Sequence, residues 1–457
     1  MSDIKFGTDG WRAVTDKDFN IKNVTRVTKA VAKYIFETFG QQKTVIVGYD
    51  PRRKAREFAA LSAQILKSFG FNVLLSDKVV ATPVLAYNAG LLNACAIMFT
   101  ASHNPPEYLG LKFIPDYAGP AEDAITAQIV ENIDKPFSTH VEGSIKLHSF
   151  NEEYGKHIEK LIDFDLIEKS GFCVNYDALH GAAGKLFTEI LQNHKICCNS
   201  SNLNYDADFG GKLPEPAERF LEELKETCRK NGNIGFSNDG DGDRFALVDE
   251  NGCFVNANKV IALLFKHLVV NKKFTGKLAK TVAGSMMLDN LAAKYGTEVI
   301  ETAVGFKNLG KACRENNVII AGEESGGLTF KNHIPEKDGI AANLLILEAK
   351  AAFGKPVCEL VKEFDEGFIN IRHDVKLPDE NFAANALTAI KSVDKIGNFK
   401  IVSKNFIDGA KLRLDDEKTS ILIRKSGTEP LFRIYFESNS KEKIDELFEA
   451  VKKIIGI

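Results

Sequence analysis

Three times in succession the chain passes from an apolar, strand-like run through a helical stretch to another apolar run that empties into a polar loop. "TVIVGYD" (44–50) leads to a helical stretch over 56–69, to "FNVLLSD" (71–77) and to "CAIMFTASHNP" (95–105). "FCVNYD" (172–177) leads through "GKLFTEILQ" (184–192) to "NIGFSNDGDGDR" (233–244). "LAKTVAGS" (278–285) leads through "MLDNLAAKYG", "TEVIETAVG" and a further helix to "NVIIAGEESGG" (317–327). Alternation at this spacing predicts α/β units with mainly parallel mixed sheets. Open sheets of that kind place ligands at the loops beyond their strands.

Beyond about residue 366 the rhythm changes. "FINIRHDVKL", "FKIVSKNF", "AKLRLD", "TSILIRKSG" and "PLFRIYFES" are strand-like, and a helix follows over 441–455. The fold expected is therefore α/β: three similar α/β domains over 1–147, 148–251 and 252–366, then a smaller C-terminal α+β domain over 367–457. No low-complexity linker separates them, so they are expected to pack around a central cleft. A chain of 457 residues accommodates three to four such domains.

Charge narrows the partners. The formal net charge is −3 and no long basic block occurs, so bulk electrostatics gives no support for nucleic acid or an anionic membrane as partner. No apolar run approaches the ~18 residues of a spanning helix, and the first residues lack the apolar core of a secretion signal. The 8 cysteines form no C-x-x-C pair, and a chain this size needs no disulfide staples. A cytoplasmic protein with reduced thiols is expected.

The loops carry the chemistry. "TASHNPPEYLGLKF" (100–113) sets Ser102 and His103 on a turn stiffened by two prolines. Ordinary turn chemistry explains such residues at a strand end, and so does a loop that holds one hydroxyl out for reaction. In "NDGDGDRFALVDENG" (238–252), Asp239, Asp241 and Asp243 alternate with glycines, and three convergent carboxylates suit one hard cation. An EF-hand count from Asp239 puts Glu250 at the twelfth position, but Arg244 stands where that loop needs glycine and the flanks are strand-like. Magnesium at a phosphate site is the better reading. "RKSGTEP" (424–430) combines the Arg424 fork, the Ser426 and Thr428 hydroxyls and the bare backbone of Gly427 into a nest for phosphate. Neither it nor "GAAGKL" (181–186) has P-loop spacing. "GEESGG" (322–327) places Glu323, Glu324 and Ser325 at a strand end, where they suit sugar hydroxyls. Asp338 precedes an amphipathic run as a helix cap.

In this order, and with "FGTDGWR" (6–12) ahead of them, these loops resemble those of the α-D-phosphohexomutase superfamily, which includes phosphoglucomutases, phosphomannomutases and phosphoglucosamine mutases. The resemblance spans nearly the whole chain. It implies that Ser102 carries a phosphoryl group and that magnesium is held by Asp239, Asp241, Asp243 and that phosphate. By the same resemblance Lys112 assists proton transfer at the sugar hydroxyl and Arg244 stabilises charge or moves protons beside it. Arg12 and His103 line the cleft, His103 either bracing the loop or moving a proton. Glu323 and Ser325 grip ring hydroxyls, while Arg424, Ser426, Gly427 and Thr428 hold the phosphate that is not reacting.

The activity so implied is exchange of hexose 1-phosphate and hexose 6-phosphate, with glucose 1,6-bisphosphate as intermediate and activator. Lys307 in "AVGFKNLG" (303–310) resembles the lysine of glucose-phosphate members, and Gly327 stands where some dual-specificity phosphomannomutases have histidine. Pro106 and Glu107 replace two glycines of some relatives, and the fourth domain is short, which keeps mannose and glucosamine phosphates open. A phosphatase using the same serine, or a sugar-phosphate sensor, are the competing functions; a sensor has no need of Ser102 and the aspartates. Oligomeric state is not legible.

Overall fold

The computed structural model describes residues 4–456 apart from 8, 365–366, 417 and 427–430. Its first sheet has the strand order Trp11–Val14, Tyr108–Ile114, Cys95–Phe99, Val45–Tyr49, Asn72–Ser76, Ser144–His148. The last four strands in that order run parallel and the first two run antiparallel. Val45–Tyr49 and Cys95–Phe99 are buried at every position, which is why both are continuously apolar in sequence. Val45 and Val47 pack in a cluster with Phe58 and Ala59 of the helix Ala55–Ser68, whereas Ile46 packs with Val84 and Leu85 of the helix Thr82–Leu91. The two-residue period of the strand thus feeds two helical layers.

The second sheet is ordered Phe254–Val255, Phe245–Val248, Gly235–Asn238, Cys173–Asp177, Cys197–Ser201, and the third Val299–Thr302, Lys277–Thr281, Val318–Gly322, Leu328–Phe330. One connection recurs in all three. Cys95–Phe99, Gly235–Asn238 and Val318–Gly322 each turn back into an antiparallel neighbour, Tyr108–Ile114, Phe245–Val248 and Leu328–Phe330 respectively. The three polar loops singled out in sequence are these turns. A loop pinned by ladder hydrogen bonds at both ends holds its side chains in fixed directions.

The three sheets share an apolar core that includes Ile46, Leu85, Phe187, Leu264 and Leu344. Through it runs the helix Gly339–Phe353, buried from Gly339 to Lys350 and mostly apolar, as a helix with no solvent face tends to be; its buried charges Glu348 and Lys350 are paired, with Lys272 at 2.7 Å and Glu250 at 2.6 Å. Asp338 caps it, its side chain accepting from Ala341 N at 2.9 Å.

The C-terminal sheet is antiparallel throughout, in the order Ile369–Lys376, Leu431–Ser438, Ser420–Lys425, Ala410–Leu414, Phe399–Asn405, Lys395–Ile396. One face packs Leu412, Ile423 and Phe436 against the helices Glu380–Ser392 and Lys441–Ile455 in a core of its own. The alternate positions Lys411, Arg424, Arg433 and Tyr435 face a cleft shared with the other units. Contacts to the third unit include polar ones: Arg413 pairs with Asp289 at 2.8 Å, Lys411 pairs with Glu301, and Glu437 accepts from Met286 N at 2.8 Å and from Ser285 Oγ.

The expectation of reduced thiols needs correction at one place. Cys173 and Cys197 form a disulfide, because the parallel register of their strands sets them directly opposite with Cα atoms 4.4 Å apart. Among the described residues no helix is long and apolar enough to cross a membrane.

Candidate active site

Ser102 sits at φ +51°, in the left-handed region, which costs a non-glycine residue about 1–2 kcal/mol. Arg52 holds the loop in that shape. Its buried guanidinium donates to the carbonyls of Ser102 (2.6 Å), Asn104 (2.7 Å), Pro105 (2.8 Å) and Tyr108 (3.0 Å), and its Nε donates to Asp50 at 3.2 Å. The Ser102 hydroxyl then donates to Asp239 Oδ2 at 2.6 Å and lies 3.2 Å from His103 Nδ1. Burial, with Arg244 and Arg12 nearby, pushes the His103 imidazole down to about 2, so it is neutral.

The three aspartates converge. One carboxylate oxygen from each of Asp239, Asp241 and Asp243 lies within 4.8 Å of the others, and all three residues are buried. Asp239 Oδ1 accepts from Arg244 N at 3.1 Å, and Asp241 Oδ2 accepts from Thr82 Oγ1 at 2.6 Å. Asp241 Oδ1 and Asp243 Oδ1 have no hydrogen-bond partner among the described residues. Burial, then Asp243 and Asp241, raise the Asp239 carboxyl well above the usual carboxylate range. Buried, mutually repelling acceptors without donors are an arrangement that a cation stabilises. An all-oxygen set of this kind fits a hard divalent ion such as magnesium.

Two lysines flank the triad. Lys112 Nζ lies 2.8 Å from Asp9, 3.1 Å from Asp243 and 3.6 Å from Asp241; Lys337 Nζ lies 2.9 Å from Asp243 and 3.1 Å from Asp9. Burial opposes both charges, but the carboxylates outweigh it and hold both ammonium groups above the ordinary lysine range. In return, although burial raises the Asp243 carboxyl, Lys337 and Lys112 bring it down to about 2. Lys337 owes its place to Gly327, where a Cβ would lie 2.9 Å from Lys337 Cδ.

The loop 322–327 and its neighbours form another wall of the site. Glu323 Oε1 accepts from Gly305 N at 3.0 Å. Burial, with Glu324 beside it, pushes the Glu323 carboxyl up to about 7. Ser325 is exposed, and Lys307 pairs with Asp123 of the first unit. Arg424 donates through Nε to Asp408 at 2.9 Å. Ser426 is buried, with its N–H on the Leu431 carbonyl at 2.9 Å; Gly427 and Thr428 lie outside the described residues.

One cleft of about 1460 Å³ is lined by Arg12, His103, Arg244, Lys307, Glu323, Ser325 and Arg424 together, larger than the ~300–1,000 Å³ of ordinary small-molecule pockets. Ser102, Lys112, Asp239 and Asp243 stand behind this wall, each in contact with a residue that lines it. Arg12 donates to Asn104 Oδ1 at 2.6 Å, which ties the first strand to the serine loop. Sequence reasoning missed Asp9, Arg52 and Lys337. Asp9 lies inside the motif "FGTDGWR"; Arg52 and Lys337 had only a charged residue near a strand or helix end as a signal.

Comparison with known proteins agrees with this architecture. Models of the phosphoglucomutase/phosphomannomutase family match in chain order: alpha/beta/alpha domain I at residues 3–140, domain II at 152–252, domain III at 256–366 and the C-terminal domain at 374–454. A phosphoglucomutase/phosphomannomutase of Thermococcus kodakarensis is 29% identical over 98% of both chains. A phosphoglucosamine mutase of Methanocaldococcus jannaschii is 30% identical, again over 98% of both. The crystal structure of a phosphoglucomutase/phosphomannomutase family protein from Burkholderia thailandensis superposes with a TM-score of 0.87 at 22% identity, over 99% of this chain and 98% of that one, and so shares the fold. Four domains in the same order, matched end to end, make this chain a member of the phosphoglucomutase/phosphomannomutase family and a phosphohexomutase.

Proposed function

We propose that the protein interconverts glucose 1-phosphate and glucose 6-phosphate through a phosphoserine at Ser102 and a glucose 1,6-bisphosphate intermediate. The observation that carries this reading is the buried Ser102 hydroxyl, 2.6 Å from Asp239 of the carboxylate triad, at the back of a cleft whose far wall presents Arg424. Asp239, Asp241 and Asp243 would hold magnesium together with the phosphate on Ser102. Bound there, the ion supplies charge neutralisation for phosphoryl transfer.

The residues divide the remaining work. The phosphoryl group leaves Ser102 Oγ for a hydroxyl oxygen of the bound hexose phosphate, so one P–O bond breaks and another forms. The bisphosphate turns over in the cleft and returns its other phosphoryl group by the reverse step. Arg12 and Arg244 offer positive charge to the transferring group, and neutral His103 braces the serine. The proton of the attacking sugar hydroxyl ends on Ser102 Oγ as that oxygen loses the phosphoryl group, and the second half-reaction moves a proton the other way; the Lys112 ammonium, held by Asp9 and Asp243, assists both transfers by stabilising the charge on the oxygens. Glu323 and Ser325 grip ring hydroxyls, and Arg424 with the 426–428 loop holds the phosphate at rest. The near-complete burial of Ser102, 1% exposed, supports transfer to sugar over loss to water.

Lys307, in the first turn of the helix Phe306–Glu315 at the edge of the cleft, resembles the lysine of glucose-phosphate members and favours glucose. A second reading, glucosamine phosphate, draws support from the Methanocaldococcus relative's name and from the paired carboxylates Glu323 and Glu324. A coupled assay on the 6-phosphates of glucose, mannose and glucosamine, with magnesium and bisphosphate activator, separates them. Highest kcat/KM on glucose supports the first reading, highest on glucosamine the second. Release of inorganic phosphate without need of bisphosphate would sink both in favour of a phosphatase.

A further inference from the structure

The turn between the strands Phe399–Asn405 and Ala410–Leu414 belongs to none of the loops so far assigned a task, yet it touches two of them. Asp408 Oδ2 accepts from Arg424 Nε at 2.9 Å and from the backbone N–H of Val304 at 3.1 Å. The turn is shaped to reach both. Gly409, at φ +82°, lets it lie on the neighbouring strand, where a Cβ would meet the Ile423 carbonyl oxygen at 2.2 Å and Arg424 Cα at 2.9 Å. Asn405 Oδ1 accepts from Ile407 N at 3.0 Å, while its Nδ2 donates to Glu301 at 2.7 Å. The C-terminal unit therefore grips the segment 301–304 twice from one turn.

The next peptide along continues the pattern. Gly305 N donates to Glu323 Oε1 at 3.0 Å. Two successive N–H groups of the loop entering the helix Phe306–Glu315 are thus held by two carboxylates, one from the C-terminal unit and one from the sugar loop. The first turn of that helix carries Lys307.

A carboxylate next to a phosphate-binding arginine opposes the anion by repulsion, so its place there calls for a compensating effect. Engaging Nε occupies one of the five guanidinium donors and fixes the plane of the fork, which leaves the terminal nitrogens for a ligand. We propose that Asp408 is a positioning residue: it aims Arg424 at the cleft and sets the phosphate grip in register with the segment 303–305 and, through Gly305, with Glu323. This rests on Arg424 being a phosphate ligand, as proposed above.

The test is kcat and KM for glucose 1-phosphate in the wild type, Asp408→Ala, Asp408→Asn, Arg424→Ala and the Asp408→Ala/Arg424→Ala double variant. Asp408→Ala is expected to raise KM about tenfold, the scale of one lost charge-assisted hydrogen bond, with kcat changed less than about twofold. Asp408→Asn, which keeps an acceptor at the same place, returns most of that loss. In the Arg424→Ala background the Asp408 substitution adds nothing further to KM. An unchanged KM in Asp408→Ala beside a raised KM in Arg424→Ala overturns the inference and leaves the Arg424 reading standing. Effects that multiply in the double variant, or a fall in kcat together with the melting temperature, overturn it as well. An unchanged KM in Arg424→Ala removes the phosphate reading itself, and the inference with it.

Discussion

The hydroxyl of Ser102 donates to Asp239 Oδ2 at 2.6 Å, although the two residues are 137 positions apart and belong to different sheets. The proposed reacting centre therefore forms where the first and second units meet. Ser102→Ala removes that donor and no packing of consequence, and Asp239 retains the N–H of Arg244. The variant is expected to lose about 1 kcal/mol of stability or less and all mutase activity. Intact-mass measurement is expected to find one phosphoryl group on the wild type and none on the variant. Equal turnover by both would remove the phosphoserine.

Asp241→Asn tests the triad. Its Oδ1 is one of the triad's two buried oxygens without a donor among the described residues, so losing the charge weakens a cation site more than it disturbs the protein. Wild type is expected to melt higher in magnesium, by an amount equivalent to about 2.7 kcal/mol at a hundredfold excess over Kd. Asp241→Asn is expected to lose most of that gain. Activity is expected to vanish in chelator and to return with magnesium better than with calcium, which wants more ligands at longer distance. Full activity in chelator refutes a catalytic metal.

The contrast between Asp241 and Arg52 shows what one sequence discloses. Asp239, Asp241 and Asp243 sit two apart on a single turn, so their convergence follows from local geometry. The same holds for Ser102 beside His103 and for Glu323 near Ser325, because each pair lies on one pinned loop. Arg52 serves carbonyls 50 to 56 residues away, and Lys337 reaches Asp9 across 328. Such partners are chosen by sheet order and helix packing, which no local pattern encodes. The strand runs were legible because full burial makes them apolar. That the polar loops return antiparallel, and so hold their side chains still, was not. The Cys173–Cys197 bond was missed for the same reason, since it depends on the register of two strands 24 residues apart.

Arg52→Lys is the sharpest test of the loop's scaffold. A lysine ammonium keeps the charge beside Asp50 but cannot span four carbonyls held by a planar fork. The variant is expected to lose about 3–5 kcal/mol, as when a buried charge network is broken. Its kcat is expected to fall more than tenfold even at a temperature where it stays folded. Wild-type kcat in a folded Arg52→Lys enzyme would show that the loop holds its shape without the fork.

Glu323 predicts a pH effect of definite sign. Its carboxyl titrates near 7 in the folded protein against an ordinary 4.5, so the folded state holds the proton more tightly than the unfolded chain. The contribution to stability is complete below pH 4.5 and is lost as pH rises through 7, a change on the order of 3 kcal/mol. Glu323→Gln keeps an acceptor for Gly305 N but cannot ionise. The variant is expected to match the wild type in melting temperature near pH 4.5 and to exceed it at pH 8.5. A difference that does not change with pH would mean that the carboxyl is ionised throughout.

Arg424→Ala tests the division of labour that distinguishes a mutase. Arg424 lines the cleft on the C-terminal sheet, whereas Ser102 belongs to the first unit and the triad to the second. Loss of a charge-assisted fork is expected to cost on the order of 2–4 kcal/mol in substrate binding. Magnesium affinity, read from the melting shift, is expected to be unchanged, because Arg424 and its partner Asp408 belong to the C-terminal unit and the triad to the second. Both directions are expected to suffer, since the same nest must hold the 6-phosphate in one half-reaction and the 1-phosphate in the other. A phosphatase with a single binding orientation has no reason for that symmetry. The measurement is kcat/KM for glucose 1-phosphate and for glucose 6-phosphate in the same variant. If neither changes, Arg424 holds no phosphate; if one falls while the other is untouched, the bisphosphate does not turn over in this cleft.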